Sequence, residues 1–518
     1  MSHLLQSALT LLPIIWLIIA LAALKIPGHK ACLAALAIAA VLALTLWHMP
    51  VIDCVTSALE GFASALWPII LVIIAAIFTY NLSLRTGAMD VIKRLLAGVS
   101  NDMRVLVLLI GWGFGGFMEG MAGFGTAIAI PASMLAGMGM NPILACLACM
   151  LSNSFPTAFG SVGIPTVTLQ TVTGLDIMPL AFITVIEMLP FMILVPFLMI
   201  MAGCGGPKAL KGVVGITLVA GVSFVLPELL VAKFLGAELP VIVGSVCSML
   251  CVLIFAKLRG NKEIPEQYRM SSGEEAAKPD AMTPVQAFMP FILIFVFLLL
   301  TSKLVPPVNS FLKVFSSSFK ISTAASAGKA SFSWVNTPGV WIILATVIGG
   351  FIQKAGGRVM WDTFCATVKQ LVKTMITIMS VLAVAKIMTY SGMISDMANL
   401  FVTLTGRFYG FVAPIIAALG AFVTGSGTNT EVLLGRLQSE AANAIGASPY
   451  WLAAANSVGA GIGKIVSPQC IATAVAAVGL TGQDSKMLSA VIKWALLMLV
   501  LACALVGFGE GLAGLFIG

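Results

Sequence analysis

Two stretches of thirteen residues decide the fold: "NSFPTAFGSVGIP" at residues 153–165 and "NSVGAGIGKIVSP" at residues 456–468. Both begin with Asn-Ser and end with Pro, and the second follows the first by 303 positions (456 minus 153) at each of these points. Both also place glycine and polar residues where the neighbouring sequence is strongly apolar. The chain therefore contains an internal repeat, and each copy is predicted to interrupt a helix with a polar, glycine-containing segment.

The composition around these stretches is that of a membrane protein. Of the 518 residues, 60% are hydrophobic and 9% are charged, whereas a soluble domain has about 25% charged residues. Apolar runs such as "LLPIIWLIIALAAL" (residues 11–24) and "WALLMLVLACALVGF" (residues 494–508) recur along the chain. Because one span needs roughly 20 apolar residues, we predict an all-α polytopic protein with about twelve spans. The composition disfavours the alternative of a soluble protein with a large core.

The net charge of +8 is interpreted as a signal of membrane topology rather than of nucleic-acid binding, because basic residues concentrate in cytosolic loops. The loop at residues 257–283 is rich in Lys and Arg and is predicted to be cytosolic. Counting spans from it places the loop at residues 302–338 outside, although that loop holds four lysines.

Further matches extend the repeat beyond the two opening stretches. "RTGAMD" at residues 85–90 resembles "YSGMISD" at residues 390–396, and "GGFMEG" at residues 115–120 resembles "GAFVTG" at residues 420–425. The predicted topology gives the two copies opposite orientations, which is typical of secondary transporters. The predicted divisions are N-terminal scaffold spans at 1–66, repeat 1 at 67–203, middle scaffold spans at 204–371 and repeat 2 at 372–518.

Each repeat has two places where a helix is predicted to fail inside the membrane. The tips "EGMAGFGT" (residues 119–126) and "TGSGTNT" (residues 424–430) are flanked by apolar segments too short to span alone. They predict re-entrant hairpins, and the opening stretches predict broken helices. The predicted bounds are 105–137 and 409–445 for the hairpins, and 142–172 and 449–478 for the broken helices.

Interrupted helices in a bilayer indicate a binding site. Open backbone in hydrocarbon costs several kcal/mol for each unsatisfied group, so it survives where protein or a water-filled cavity supplies partners. Helix N-termini freed in this way favour an anion. The two opening stretches are therefore predicted to form two halves of one site near mid-membrane. The alternative is that their glycines only permit close helix packing.

The residues predicted to contact a substrate are polar groups or glycines in the tips and breaks. Lys464 is the principal candidate, because a cation in one repeat only, beside freed amides, suits a carboxylate. The full predicted set is Asn153, Ser154, Gly120, Ser426, Thr428, Asn429, Asn456, Ser457, Lys464 and Gln469.

Four ionisable residues within apolar runs are predicted to take part in proton coupling. Glu119 either accepts the coupling proton or caps the following helix. Glu187 and Lys386 either pair with each other or act in transport, since buried charges are rarely alone. Glu431 either holds a helix N-terminus or coordinates a cation.

Other functional classes have little support in the sequence. No nucleophile–base pair or metal-ligand cluster is apparent, so an enzyme is disfavoured and no cofactor is predicted. No G-x-x-x-x-G-K-[ST] motif occurs, which favours an ion gradient over ATP. A proton gradient is preferred, and a sodium-coupled carrier or an anion channel remains open. The predicted partners are a small organic anion and the lipid bilayer, without nucleic acid. The oligomeric state is open, with a homodimer as one arrangement.

Four stretches together resemble the L-lactate permease family: "FMEGMAGFGTAIAIP", "GSVGIP", "GSGTNT" and "AANSVGAGIGKIVSPQCIATAVAAVGL". The resemblance implies symport of a 2-hydroxymonocarboxylate, such as L-lactate, D-lactate or glycolate, with a proton across the bacterial inner membrane. It also implies an elevator mechanism. The positions that match the family motifs are Glu119, Gly120, Gly123, Gly125, Lys464, Ser467, Pro468 and Gln469.

The sequence departs from the family pattern at three positions, which predicts a divergent member. Gly427 stands where the second tip commonly has an acid. Glu187 stands where an Arg is frequent, and Lys386 where an apolar residue is frequent.

Overall fold

The computed structural model describes residues 3–24, 26–123, 125–259, 264–270, 282–480 and 482–512. Within these ranges ten helices are long and apolar enough to cross a membrane, and the count reaches twelve if each of two bent helix pairs forms one span. The predicted all-α polytopic architecture with about twelve spans is confirmed.

Fourteen helices lie in the described residues of the first half of the chain. They are α1 (His3–Leu9), α2 (Leu12–Ile18), α3 (Gly28–Thr45), α4 (Val51–Ser64), α5 (Leu71–Arg85), α6 (Ala88–Ala97), α7 (Met103–Leu106), α8 (Gly115–Met121), α9 (Thr126–Gly137), α10 (Pro142–Ser152), α11 (Gly160–Thr173), α12 (Ile177–Gly203), α13 (Val214–Leu235) and α14 (Pro240–Arg259). Short π-helical stretches follow α2 (Ile19–Ala23), join α4 to α5 (Ala65–Ile70) and join α7 to α8 (Val107–Phe114).

The described part of the second half contains ten helices and one short β-hairpin. They are α15 (Pro284–Thr301), α16 (Pro306–Lys313), β1 (Ser316–Phe319), β2 (Ala330–Ser333), α17 (Pro338–Ile352), α18 (Gly357–Tyr390), α19 (Met393–Thr405), α20 (Tyr409–Thr424), α21 (Gly427–Ile445), α22 (Pro449–Ile465), α23 (Pro468–Ala477) and α24 (Asp484–Gly509). Single 3₁₀ turns lie at Pro156–Phe159, Pro207–Leu210, Glu266–Tyr268, Gly406–Phe408 and Glu510–Leu512.

The two repeats have opposite orientations. Gly87 and Gly392, matched by the sequence repeat, both adopt left-handed backbone conformations and begin α6 and α19 respectively. The preceding helices, α5 and α18, pack antiparallel. Near one end Gly61, before α5, lies against Ala383, and near the other end Asn81 hydrogen-bonds Thr367. Since equivalent helices run in opposite directions, the inverted repeat is confirmed.

Each repeat contains a helical hairpin followed by a bent helix pair. The first hairpin joins residues 103–121 to α9, and the second joins α20 to α21. The segment Pro142–Ser152 meets Pro156–Thr173 at 61°, and Pro449–Ile465 meets Pro468–Ala477 at 49°. The sequence prediction of one hairpin and one broken helix per repeat is confirmed.

The position of the second break differs from the prediction. In repeat 1 the first helix ends at Ser152, so Asn153 lies at the break as expected. In repeat 2, α22 continues unbroken through Asn456 and Ser457 to Ile465. The prediction that Asn-Ser opens the break is therefore wrong for repeat 2. The side chains of Asn456 and Ser457 both hydrogen-bond to Glu431 from within an intact helix. The helix therefore does not need to break for these polar groups to find partners.

The alternative interpretation of the glycines holds for part of the second stretch. A Cβ on Gly459 would lie 2.2 Å from the carbonyl oxygen of Pro414, and one on Gly463 would lie 2.0 Å from that of Ala418. These two glycines allow α22 to pack directly on the backbone of α20. They serve helix packing, whereas the polar residues of the stretch face other groups.

The two ends of the helix bundle are distinguished by their loops. Arg104 donates to the carbonyl oxygens of Ala209 and Lys211 at 3.2 and 3.0 Å, and the Met270 amide donates to Asn101 at 2.9 Å. We call this end the inner face, because it carries the loop predicted to be cytosolic. Within that loop, residues 260–263 and 271–281 lie outside the described residues.

The opposite end, the outer face, carries residues 302–338. Their β-hairpin packs on α4 and on the segment that follows it. Ser322 hydrogen-bonds Ser57 at 3.0 Å, and the Trp67 indole donates to the carbonyl oxygen of Ser333 at 2.8 Å. The loop thereby covers the outer end of the kinked helix formed by α4 and α5.

Candidate functional site

A cavity of about 270 Å³ lies where the two hairpin tips and the two helix breaks meet. The tips contribute Gly123 and Ser426, among others, and the breaks contribute Ser161 and Lys464. Helices α5 and α18 complete the wall from the other side. The full lining is Ile77, Tyr80, Asn81, Glu119, Gly123, Gly125, Thr126, Ile128, Thr157, Gly160, Ser161, Pro165, Gln370, Leu371, Thr374, Gly425, Ser426, Gly427, Thr428, Lys464, Gln469, Cys470 and Thr473.

An ion pair between the two repeats lies in the cavity wall. The Lys464 ammonium is 3.0 Å from Glu119 Oε1 and donates to Thr157 Oγ1 at 2.8 Å. Asn153 Nδ2 donates to the other carboxylate oxygen of Glu119 at 2.7 Å. Glu119 and Lys464 are 3% and 7% exposed respectively. Both charges are thus compensated, and both remain in contact with the cavity.

The backbone of the first break brings these groups together. Ser161, Val162 and Gly163 have φ values of 45°, 58° and 77°, which turn the chain sharply before α11 continues. Ser161 Oγ donates to the carbonyl oxygen of Ala122 at 3.0 Å and so ties the break to the first tip. A Cβ on Gly160 would lie 2.6 Å from Glu119 Oε1. Glycine at 160 therefore leaves the space that the carboxylate occupies.

The second tip is shaped by its own cap and by two close approaches. Ser426 caps α21 by accepting the Asn429 amide at 3.3 Å. A Cβ on Gly425 would lie 2.6 Å from Gln469 Oε1, and one on Gly427 would lie 2.7 Å from the methyl group of Thr157. The absence of a side chain at Gly427 therefore leaves room for the threonine that accepts from Lys464.

A second buried carboxylate occupies repeat 2 behind the cavity. Glu431, 1% exposed, accepts from Asn456 Nδ2 and Ser457 Oγ, each at 2.8 Å. Gln438 Nε2 donates to Asn456 Oδ1 at 3.4 Å, and Tyr409 donates to Gln438 at 2.8 Å. In both repeats the Asn of the opening stretch therefore donates to a hairpin carboxylate, but only the first carboxylate also contacts a cation among the described residues.

Only some of the predicted residues line the cavity. Those that do are Glu119, Ser426, Thr428, Lys464 and Gln469. Those that lie elsewhere are Gly120, Asn153, Ser154, Asn429, Asn456, Ser457, Glu187, Lys386 and Glu431.

Several of the residues outside the cavity have a clear structural setting. Gly120 packs against Val241 and Ile242 of α14, where a Cβ would be 3.1 and 2.9 Å from their side chains. Ser154 Oγ donates to the carbonyl oxygen of Leu151, and the carbonyl of Ser154 faces Gly461. These positions support the fold around the cavity.

Three alternatives from the sequence are corrected by the geometry. Lys386 does not pair with Glu187: its ammonium lies 2.8 Å from Glu60 Oε1, which also accepts from Tyr390 at 2.6 Å. Glu119 does not cap α9, since its carboxylate contacts Lys464 and Asn153. Glu431 does not hold the N-terminus of α21, because Ser426 caps that helix and Glu431 accepts from side chains.

The pairing of Lys386 was mispredicted because its partner lies outside both repeats. Glu60 belongs to α4, within the predicted N-terminal scaffold, and is 2% exposed. Glu187 is fully buried, and neither of its oxygens has a hydrogen-bond partner among the described residues. Its predicted part in proton coupling stays a prediction.

Other polar residues of the wall were not predicted. Thr157 lies in the opening stretch of repeat 1, so the repeat itself could have identified it. Tyr80, Asn81 and Gln370 lie on α5 and α18 within ordinary helical sequence, and no glycine or proline marks them. Their common feature is a polar side chain on a membrane helix.

A second, open groove of about 520 Å³ lies beside the cavity, on the side towards the inner face. Asn81 and Gln370 line both the cavity and this groove. The groove continues along Arg85, at the inner end of α5, and Asp362, near the start of α18. The cavity and the groove therefore share a wall, which the hydrogen-bonded side chains of Asn81 and Gln370 form.

Comparison with known proteins gives a consistent result over nearly the whole chain. A family model described as L-lactate permease matches residues 6–509. The L-lactate permease of Streptococcus iniae is 42% identical over 449 residues, covering 87% of this chain and 93% of that protein. The L-lactate permease of Escherichia coli strain K12 is 34% identical over 524 residues, covering 95% and 94%.

A relative with a different name is similar over the same length. The glycolate permease GlcA of Escherichia coli strain K12 is 32% identical over 526 residues, covering 95% of this chain and 93% of that protein. Among solved structures, the Alcanivorax borkumensis YdaH transporter has a TM-score of 0.50 at 14% identity and covers 88% of each chain. This last likeness concerns the fold alone.

Proposed function

Because the chain belongs to the L-lactate permease family, we propose that this multi-pass protein of the bacterial plasma membrane is a symporter for small 2-hydroxymonocarboxylates and protons. The names of its relatives support lactate, as the L or D enantiomer, or glycolate as the substrate. The proton coupling is inferred from the cavity.

The observation that carries the proposal is the Lys464–Glu119 pair in the cavity wall. A carboxylate substrate is attracted by the ammonium of Lys464, but Glu119 already holds that position. When Glu119 takes up a proton, it ceases to be an anionic competitor, and the substrate carboxylate replaces it as the partner of Lys464. Thr157 and the second tip then enclose the bound acid.

The charge balance makes the coupling obligatory in this scheme. Without substrate, Lys464 and Glu119 neutralise each other. Addition of one monocarboxylate leaves one negative charge in a buried site, which is costly in a membrane interior. One proton on Glu119 restores neutrality. The loaded and unloaded forms are then both neutral here, which favours a stoichiometry of one proton for each substrate anion.

The movement in this proposal is of the elevator type. The hairpins and broken helices enclose one side of the cavity, and α5 and α18 form the other side. We assign the first group to the moving part and the second to the scaffold. The groove that reaches the inner face along Arg85 supports a conformation open to the cytosol.

Uptake of labelled L-lactate by proteoliposomes tests the proposed function. An inside-alkaline pH gradient is expected to drive accumulation, and a sodium gradient at equal pH is expected to have no effect. Accumulation driven by sodium alone would replace the proposal with a sodium-coupled carrier. Flux that does not saturate and shows no counterflow would indicate an anion channel.

A further inference from the structure

Asn81 on α5 and Gln370 on α18 face the cavity from the side opposite the hairpins. Asn81 Nδ2 donates to Thr367 Oγ1 at 2.9 Å and to Gln370 Oε1 at 3.1 Å. The two amides therefore form a connected pair in the wall that we assign to the scaffold.

The hydrogen bonds fix which atoms this pair presents. The Thr367 hydroxyl donates its hydrogen to the carbonyl oxygen of Thr363 at 2.8 Å. Its oxygen can then only accept, so the atom of Asn81 that faces it must be the amide nitrogen. The second hydrogen of that nitrogen goes to Gln370 Oε1. This leaves Asn81 Oδ1 as an acceptor and Gln370 Nε2 as a donor, each without a protein partner in the part of the chain that the structure describes.

We propose that Asn81 and Gln370 form the subsite for the 2-hydroxyl group of the transported acid. The proposal rests on the proposed function, in which the substrate carboxylate binds Lys464. A hydroxyl group both donates and accepts, so it satisfies Asn81 Oδ1 and Gln370 Nε2 together. The second carboxylate of a dicarboxylic acid has only acceptor oxygens, so its contact with the acceptor Asn81 Oδ1 is unfavourable. The pair therefore selects hydroxy acids over unsubstituted acids and over dicarboxylates.

The subsite also links recognition of the substrate to the proposed movement of the hairpins and broken helices against the scaffold. Lys464 belongs to α22, in the part assigned to the moving unit, whereas the amide pair belongs to α5 and α18. A hydroxy acid bridges the two parts through its carboxylate and its hydroxyl group. A simple carboxylic acid contacts Lys464 but lacks the hydroxyl contact to the scaffold.

Competition between L-lactate and propionate, which differ by the hydroxyl group, tests the subsite. In proteoliposomes, labelled lactate counterflow is measured against unlabelled lactate or propionate in the native protein and in the Asn81→Leu and Gln370→Met variants. The native protein is expected to prefer lactate by about tenfold, the effect of roughly one or two hydrogen bonds. Each variant removes one of the two hydrogen bonds and is expected to reduce the preference to about threefold or less, with propionate inhibition unchanged.

The control is Leu84→Ala, one turn from Asn81 on the same helix, which lines the groove but not the cavity. It is expected to keep the native preference. Unchanged preference in both amide variants would overturn the subsite, as would equal losses for lactate and propionate. Because the variants lie on different helices, misfolding of one leaves the other as a test. Failure of the native protein to transport either lactate or glycolate would refute the proposed function instead.

Discussion

Replacing Glu119 with Gln removes the negative charge that faces Lys464 while keeping the length of the side chain. In the proposed cycle this charge competes with the substrate carboxylate for the same ammonium. The Gln variant should therefore imitate the protonated form of Glu119. We expect it to bind lactate more tightly than the native protein at neutral pH and to lose proton-driven accumulation.

The size of the effect follows from the geometry of the pair. At the 3.0 Å separation of Lys464 Nζ and Glu119 Oε1, the attraction is about 5–6 kcal/mol at an effective dielectric constant near 20. Gln still offers an oxygen to Lys464, so only part of this energy is released for substrate binding. If half is released, about 2.7 kcal/mol, the dissociation constant for lactate falls about 100-fold.

The pH dependence gives a second, independent readout. Native binding takes up one proton on Glu119, so the dissociation constant should rise about tenfold per pH unit wherever Glu119 is ionised before substrate binds. The variant has no such proton to take up, and its affinity should be flat over the same range. Calorimetry of lactate binding between pH 5 and 8 measures the affinity and its pH slope for the native protein and for the variant.

The matched control is Glu440→Gln. It removes a carboxylate that forms a 2.7 Å ion pair with Arg436 and does not line the cavity. It should retain the native affinity and the native pH slope. In transport, Glu119→Gln should keep lactate counterflow but lose accumulation driven by a pH gradient. Accumulation that persists in this variant, or a native pH slope in its affinity, would refute the role of Glu119.

Five further substitutions have expected outcomes. Lys464→Ala should abolish lactate binding in calorimetry while the protein is still recovered from the membrane, with a lower unfolding temperature because Glu119 loses its cation. Glu60→Gln and Lys386→Met should each lower the unfolding temperature, and the double variant should lose less than the sum, with a coupling of about 1–3 kcal/mol. Glu431→Gln should keep uptake driven by a pH gradient, because Glu431 faces neutral donors and not the cavity. Gly463→Ala should reduce stability by about 2–3 kcal/mol through overpacking, as measured by thermal unfolding.

These expectations have specific controls and contradictions. Gly137→Ala, where no heavy atom lies within 4 Å of the added Cβ, should leave the unfolding temperature unchanged and so calibrates Gly463→Ala. Additive losses in the Glu60 and Lys386 variants would contradict their pairing. Loss of coupling in Glu431→Gln would move the proton site to repeat 2. Native lactate affinity in Lys464→Ala would remove Lys464 from the site.

The architecture was predictable because a lipid bilayer restricts the backbone structures that can span it. The lengths of the apolar segments predict the membrane spans, and the two opening stretches indicate the internal repeat and its helix breaks. Lys464 and Glu119 were predicted individually, since an ionisable residue inside a span is rarely accidental. Their contact was not predicted, because it joins residues 345 positions apart through the docking of one repeat on the other.

Other features required the three-dimensional structure for identifiable reasons. The Asn456 side chain resembles a helix breaker in sequence, but Glu431 satisfies it within an intact helix. Lys386 has its partner in α4, outside the repeat that contains it. Asn81 and Gln370 face the cavity only because α5 and α18 pack antiparallel in one register, which no local pattern encodes.

An experimental structure with L-lactate bound tests the central claim most directly, through the distance from Lys464 Nζ to the substrate carboxylate. The account predicts hydrogen-bond contact between them, at about 2.7–2.9 Å, with Glu119 no longer within 4 Å of Lys464 as the ion-pair partner. Lactate bound elsewhere, with the 3.0 Å Lys464–Glu119 contact unchanged, would contradict it.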